Sequence, residues 1–195
     1  MAVTAQSSGT KNSIYGSAVT VTIATPAVFT KTAHGLVVND RLVFATTGAL
    51  PTGLTAGTTY YVTAVPTADT FRVSTTEGGS DVATTGTQSG THTVSSHEAI
   101  LQEISLAATF ILEIDLSNLA AGDAIELRIY NKVLTGGTLR VVYYQRYADA
   151  QPTDDQISIS VPVSNDISTE VGLRFTLKQA VGTARAIPWK ILQFS

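Results

Sequence analysis

AIELRIYNKVLTGGTLRVVYYQRY, residues 124–147, sets Ala124, Glu126, Arg128 and Tyr130 against Ile125, Leu127 and Ile129, turns at Thr135-Gly136-Gly137, and resumes with Leu139, Val141 and Tyr143 on one face. A period of two on both sides of a glycine turn predicts an antiparallel β-hairpin with one apolar face. The pattern continues outward. QISISVPV (156–163) alternates Ile157, Ile159, Val161 and Val163 with Ser158, Ser160 and Pro162, and VGLRFTLK (171–178) alternates Val171, Leu173, Phe175 and Leu177 with Gly172, Arg174, Thr176 and Lys178. IPWKILQF (187–194) carries Ile187, Trp189 and Ile191 on one side. One apolar face per strand calls for two antiparallel sheets packed face to face, a jelly-roll-like β-sandwich over residues 96–195. Only LQEISLAA (101–108) and SNLAAGD (117–123) have the composition for a helical turn.

Upstream the composition changes: 23 of the 30 threonines lie before residue 100, which marks a domain boundary near 96. VTVTI (19–23), RLVFA (41–45), TYYVTAV (59–65) and TFRVST (70–75) read as short strands. Turn formers separate them at Gly48, Pro51-Thr52-Gly53, Ala56-Gly57, Pro66 and Gly78-Gly79, so residues 19–95 predict a small β-barrel or sandwich module. Residues 1–18 are small and polar without period, and are expected to form an extended arm, free or ordered against a neighbouring subunit. The fold expectation is all-β throughout.

The net charge of −3 gives no basic footprint, so no nucleic-acid partner is expected. The chain has no cysteine, which excludes disulfides, thiolate metal sites and a cysteine nucleophile. No run approaches the ~18 apolar residues of a membrane span, and no signal-peptide pattern opens the sequence. The chain is therefore expected to be soluble, without a membrane partner, and made in the cytoplasm.

His34, Asp40 and Arg41 fall within eight residues and raise the question of a catalytic cluster. His34 lies in an AHGL turn, His92 alternates with threonines, and His97 precedes Glu98; none has the spacing of a metal pair. There is no G-x-S-x-G elbow, no phosphate-binding glycine loop and no calcium loop. Glu113 and Asp115 fall on the solvent face of one strand, and Asp154 and Asp155 in a turn. The reading is a protein with no catalytic residue, no cofactor and no metal. Tyr130, Tyr143, Tyr144 and Tyr147 cluster on the central hairpin and are the candidate interface residues, because tyrosine joins apolar area to a hydroxyl.

HGLVVNDRLVF (34–44), LPTGLTAGTTYYV (50–62) and TFRVSTTEGG (70–79), taken in order, resemble a small β module that recurs in tailed-bacteriophage virion proteins. Sequence searches liken that module to a half-domain of ubiquitin-activating enzymes. The resemblance covers about residues 26–80. It departs at Asn39, where the module has glycine; asparagine also tolerates a left-handed bend. Without cysteine, thioester chemistry does not carry over, and the phage module has no catalytic residues to transfer. LSNLAAGDAIELRIYNKVLTGGTLRVVYYQRYA (116–148) and GTARAIPWKIL (182–192) also resemble β-sandwich proteins encoded among phage head genes. The resemblance implies a capsid decoration (cement) protein on the virion surface that binds the major capsid protein as a homo-oligomer, a trimer first and a dimer second. The alternative it implies is a tail, receptor-binding or adhesive component that grips a host glycan or protein.

Overall fold

The computed structural model describes residues 2–194 and is all-β. In chain order the strands are β1 (Val3–Asn12), β2 (Ser17–Val21), β3 (Phe29–Thr30), β4 (Arg41–Thr46), β5 (Thr59–Thr67), β6 (Thr70–Ser74) and β7 (His92–Ile104). They continue with β8 (Ala108–Asp115), β9 (Ala124–Asn131), β10 (Arg140–Ala148), β11 (Ile157–Ile159), β12 (Val163–Asn165), β13 (Leu173–Val181) and β14 (Ala186–Phe194). One 3-10 turn, Thr153–Asp155, precedes β11. Among the described residues no helix is long and apolar enough to cross a membrane.

The chain divides into two compact units, and the division differs from the expected one. One unit joins the residues up to Ser13 to everything from Ile100 onward; the other is Ile14–Ala99. The barrel module is thus an insertion after β1, not an N-terminal domain. Of the expected arm 1–18, residues 2–18 are described and form no separate arm. Val3–Asn12 is a strand that pairs antiparallel with β14 along its length, with a register shift between Ala5 and Ser7, and residues 14–18 belong to the inserted unit. The domain boundary lies at 99/100, within β7, and not at 95/96.

In the inserted unit the strand order β7-β2-β3-β6-β5-β4 closes on itself through β4–β7 pairing, from Arg41↔Glu98 to Thr46↔His92. The result is a six-stranded barrel. Its interior holds Phe29 stacked on Phe44 and Phe71, with centroids 4.8 and 5.3 Å apart, and Tyr60 tilted against Phe44 at 5.5 Å. Closure leaves no free edge, which suits a small module with a short, threonine-rich sequence.

The other unit is a two-sheet jelly roll. One sheet has the order β1-β14-β8-β11, with β12 also on β8; the second runs β10-β9-β13-β7. First strand meets last, β7 meets β13, β8 meets β11 and β12, and β9 meets β10, so this unit is one long hairpin rolled into two layers. Phe110, Leu112 and Ile114 from β8 and Ile187 and Ile191 from β14 face Ile125, Leu127 and Ile129 from β9 and Leu173, Phe175 and Leu177 from β13. The residues of β9, β13 and β14 are the expected core faces of three segments, and β8 turns Glu113 and Asp115 away from the core as expected.

Three local expectations fail. Leu101–Ile104 is strand, and 117–123 forms turns, so neither holds a helix. Val141 is exposed, because a bulge between Val141 and Tyr143 breaks the alternation along β10. QISISVPV is not one strand with its aliphatic side inward. It splits into β11 and β12, Ile157, Ile159 and Val161 are exposed, and only Val163 enters the core. The serines point in: Ser160 Oγ accepts from Leu112 N at 3.0 Å and donates to Val161 O, and the Ser158 and Tyr147 hydroxyls lie 2.6 Å apart.

Candidate functional site: outward faces of the sandwich

The His34, Asp40 and Arg41 group separates into three structural roles. His34 is buried; its Nδ1 accepts from Leu36 N at 2.9 Å, Nε2 lies 3.3 Å from Thr70 O, and its ring meets Phe71 edge-on at 5.3 Å. Asp40 is buried and its Oδ2 accepts from Val37 N at 3.0 Å, closing the turn. Asn39 sits at φ +71°, the left-handed bend expected of it. Arg41 turns away to pair with Glu98 at 2.9 Å and to lie over the Tyr61 ring at 5.7 Å. His92 bridges the Thr46 hydroxyl (2.8 Å) and Gln88 Oε1 (3.0 Å). Among the described residues no three His, Cys, Asp or Glu side chains are grouped to hold a metal.

Beside His92 the barrel carries an open groove of about 640 Å³. Thr20, Thr30, Lys31, Gln88 and Thr91 line it, and no aromatic other than the His92 ring does. Gln88 Nε2 spans its wall to Val21 O at 2.9 Å.

The four candidate tyrosines divide by face. Tyr143 pairs with Ile129 and Tyr147 with Ile125, and both pack against the core. Burial pushes the Tyr147 phenol above its ordinary pKa, partly offset by its bond to Ser158. Tyr130 and Tyr144 alternate outward. Tyr144 is exposed beneath the Arg128 guanidinium, 5.2 Å from the ring centroid, and Arg128 also pairs with Glu126 at 2.7 Å. Burial alone would raise Glu126, but the Arg128 guanidinium outweighs it and holds the carboxyl below its usual range. Arg174 and Glu103 pair at 2.6 Å in the same layer. This outer face is charged and largely self-satisfied.

The outer face of the β1-β14-β8-β11 sheet is different. Alternation from the buried Phe110, Leu112 and Ile114 puts Thr109, Ile111, Glu113 and Asp115 outside, with Leu192 opposite Ile111 and Lys190 opposite Glu113. Ile157 and Ile159 stand beside Asp115 and Glu113 and are 60% and 57% exposed. Phe194 and Val3 extend the apolar surface to the edge, and Lys190 Nζ pairs with Glu113 at 2.5 Å. Sequence reasoning missed this face. Its isoleucines looked like core, and nothing in an Ile-Ser alternation says which side turns inward.

At the sandwich end, Asp123 is a buried anchor. Its carboxylate accepts from Thr183 N (2.8 Å) and Ala120 N (2.9 Å) and pairs with Arg185 Nε at 2.6 Å. Burial would raise its pKa; the two N–H donors and the guanidinium together bring it below the ordinary value of 3.8.

Compared with known protein families, curated proteins and solved structures, the chain finds no match.

Proposed function

We propose that this chain is a virion structural protein, a capsid decoration (cement) protein that binds the major capsid protein through several modest contacts and braces the shell. The reading is supported by the resemblance of residues 26–80 to the phage virion module. The observation that carries it is the pair of isoleucines on β11, Ile157 and Ile159, turned to solvent while Ser158 between them and Ser160 just after the strand make the inward hydrogen bonds. Exposed isoleucines bordered by charged side chains, here Glu113, Asp115 and Lys190, are the composition of a protein–protein contact with an apolar centre and a polar rim. Multivalent contact through an oligomer raises effective concentration, so each interface need only be modest. The test is to add the purified protein to shells that lack it and follow co-sedimentation and shell melting. Binding with a raised shell melting temperature is the expected result; no binding and no change rejects the reading.

A second reading, a tail or receptor-binding component, is favoured by the barrel groove. Its hydroxyl and amide lining suits sugar hydroxyls, although it offers no aromatic platform for a sugar ring. Glycan-array binding lost on Gln88→Ala would select this reading over the first.

A further inference from the structure

We propose that β10 is a docking edge for an extended, carboxylate-bearing segment of another protein, which pairs with it as an added strand. The inference does not depend on the capsid reading, because it holds whichever protein supplies the segment.

Three observations define the occupant. The first is an open ladder. β10 ends its sheet: β9 pairs with one side of it, and among the described residues no strand pairs with the other. Seven of its nine residues are exposed and none is buried. In an antiparallel pair each residue sends its N–H and C=O to the same side of the strand. Asp149 N donates to Asp123 O at 2.8 Å and so continues the β9 ladder, which turns the backbone groups of Tyr147 and Gln145 toward β9 as well. Tyr144, Arg146 and Ala148 therefore aim both of theirs away from the sheet.

The second is that side-chain amides already occupy that edge. Gln145 Nε2 donates to Arg146 O at 3.2 Å, and Gln151 Nε2 donates to Ala148 O at 2.8 Å. Both carbonyls belong to the outward set, and both accept from an amide N–H, the group that a paired strand supplies. An incoming backbone replaces these two flexible side chains and also meets the outward N–H groups. An edge that alternately accepts from and donates to amides matches a peptide backbone, so the ladder itself sets the chemistry of what covers it. The bulge between Val141 and Tyr143 ends the regular edge, which makes Tyr143–Ala148 the paired run.

The third is charge, which separates a foreign segment from a second copy. Arg146 faces Glu126 across the β9 ladder, but Glu126 pairs with Arg128. Arg140 stands at the other end of the strand, and β10 carries no acid. Two β10 strands side by side would gather both arginines of each copy without a carboxylate, which opposes self-pairing. A segment with Asp or Glu opposite Arg146 relieves that charge, while the exposed Val141, Val142 and Tyr144 offer its apolar side chains a surface.

Selection of a random peptide library on the immobilised full chain, followed by fluorescence-anisotropy titration of the enriched peptides, tests this. The enriched peptides are expected to alternate β-branched residues and to carry Asp or Glu. Ile159→Arg, on the other sheet, serves as control and is expected to bind them as the wild type does. Arg146→Ala removes the charge and is expected to weaken binding about fivefold at low salt. Arg146→Pro also removes an outward N–H, without touching the β9 ladder, and is expected to abolish binding. Ala148→Pro removes an outward N–H and no charge, and repeats the ladder test should Arg146→Pro fail to fold; circular dichroism and melting of each variant decide that. A library that yields no binder overturns the proposal, as do binders indifferent to both prolines or binders without acids. A wild-type chain that self-associates and becomes monomeric with either proline also overturns it, and assigns the edge to a second copy.

Discussion

Asp123 shows how much one buried carboxylate organises. It satisfies the N–H groups of Ala120 and Thr183 and holds Arg185, whose own N–H donates to Ser13 Oγ at 2.6 Å, so the end of β1 and the turn before β14 meet at one point. Asp123→Ala leaves two backbone donors without their acceptor and is expected to cost about 2–3 kcal/mol at neutral pH by urea unfolding. The pH dependence has a definite sign. The folded pKa lies below the ordinary 3.8, so the stabilisation is complete above that value and is lost as pH falls through the lower folded pKa. Asp123→Asn is therefore expected to be less stable at pH 7 and to show a shallower loss of stability in acid; an acid limb as steep as the wild type's rejects this role. Gly182 stands against this carboxylate at φ +94°, and a Cβ there meets Asp123 Oδ1 and backbone. Gly182→Ala is expected to destabilise by at least about 2 kcal/mol, from strain and displaced hydrogen bonds together. Neither role was legible in the sequence, where GDAIEL and VGTAR are sixty residues apart. His34 was legible as a turn residue from AHGL alone, because its partners, Leu36 and Thr70, belong to that turn and the strand beside it.

Strands with one buried face were read correctly from their alternation, since period and burial coincide in β8, β9 and β14; in β13 the apolar side was read correctly, but Arg174, Thr176 and Gln179 of its polar side are buried too. The failures are edge strands. β1 is held by backbone pairing to β14, and most of its side chains are exposed, so it needs no apolar period and looks like a loose arm. Limited proteolysis is expected to leave Val3–Asn12 intact until the sandwich unfolds, and early cleavage there would contradict the pairing. β11 has the period but hides its sense, because Ile-Ser-Ile alternates identically whichever side faces in. Its energetics are correspondingly reversed. Ser160→Ala orphans the Leu112 N–H and is expected to cost about 1–2 kcal/mol, whereas Ile159→Ala, in solution dilute enough to keep the chain monomeric, is expected to stay within about 0.5 kcal/mol. Equal costs would mean that the isoleucine is buried within the monomer. The candidate tyrosines mislead for a related reason: a bulge re-phases β10, so Tyr143 and Tyr147 serve the core while Tyr144 alone of that strand's three is exposed.

At the scale of the whole chain, the feature that composition could not convey is the insertion. Threonine content changes where one unit gives way to the other, but it cannot show that β1, on the threonine-rich side of the boundary, belongs to the unit on the far side. Contact between β1 and β14 joins the two ends of the sequence, and no local pattern encodes a pairing across some 180 residues. The inserted unit has the properties that make an insertion tolerable. Its ends meet, with Ser96 N donating to Ile14 O at 2.7 Å and Gly16 N to Ser95 Oγ at 2.8 Å, and its core from Ile14 to Val94 is its own. Residues 14–99 expressed alone are therefore expected to fold, with a cooperative melt. A chain in which a short glycine–serine linker replaces 14–99 is expected to keep the jelly roll, because β1 still reaches β14. Residues 100–195 alone lack β1, leave the β14 edge and the side chains of Ile187 and Ile191 less covered, and are expected to melt well below the linker chain or to aggregate. Far-ultraviolet circular dichroism with thermal melting compares the three. If 100–195 proves as stable as the linker chain, β1 contributes nothing to the sandwich, and the N-terminal segment is an arm after all.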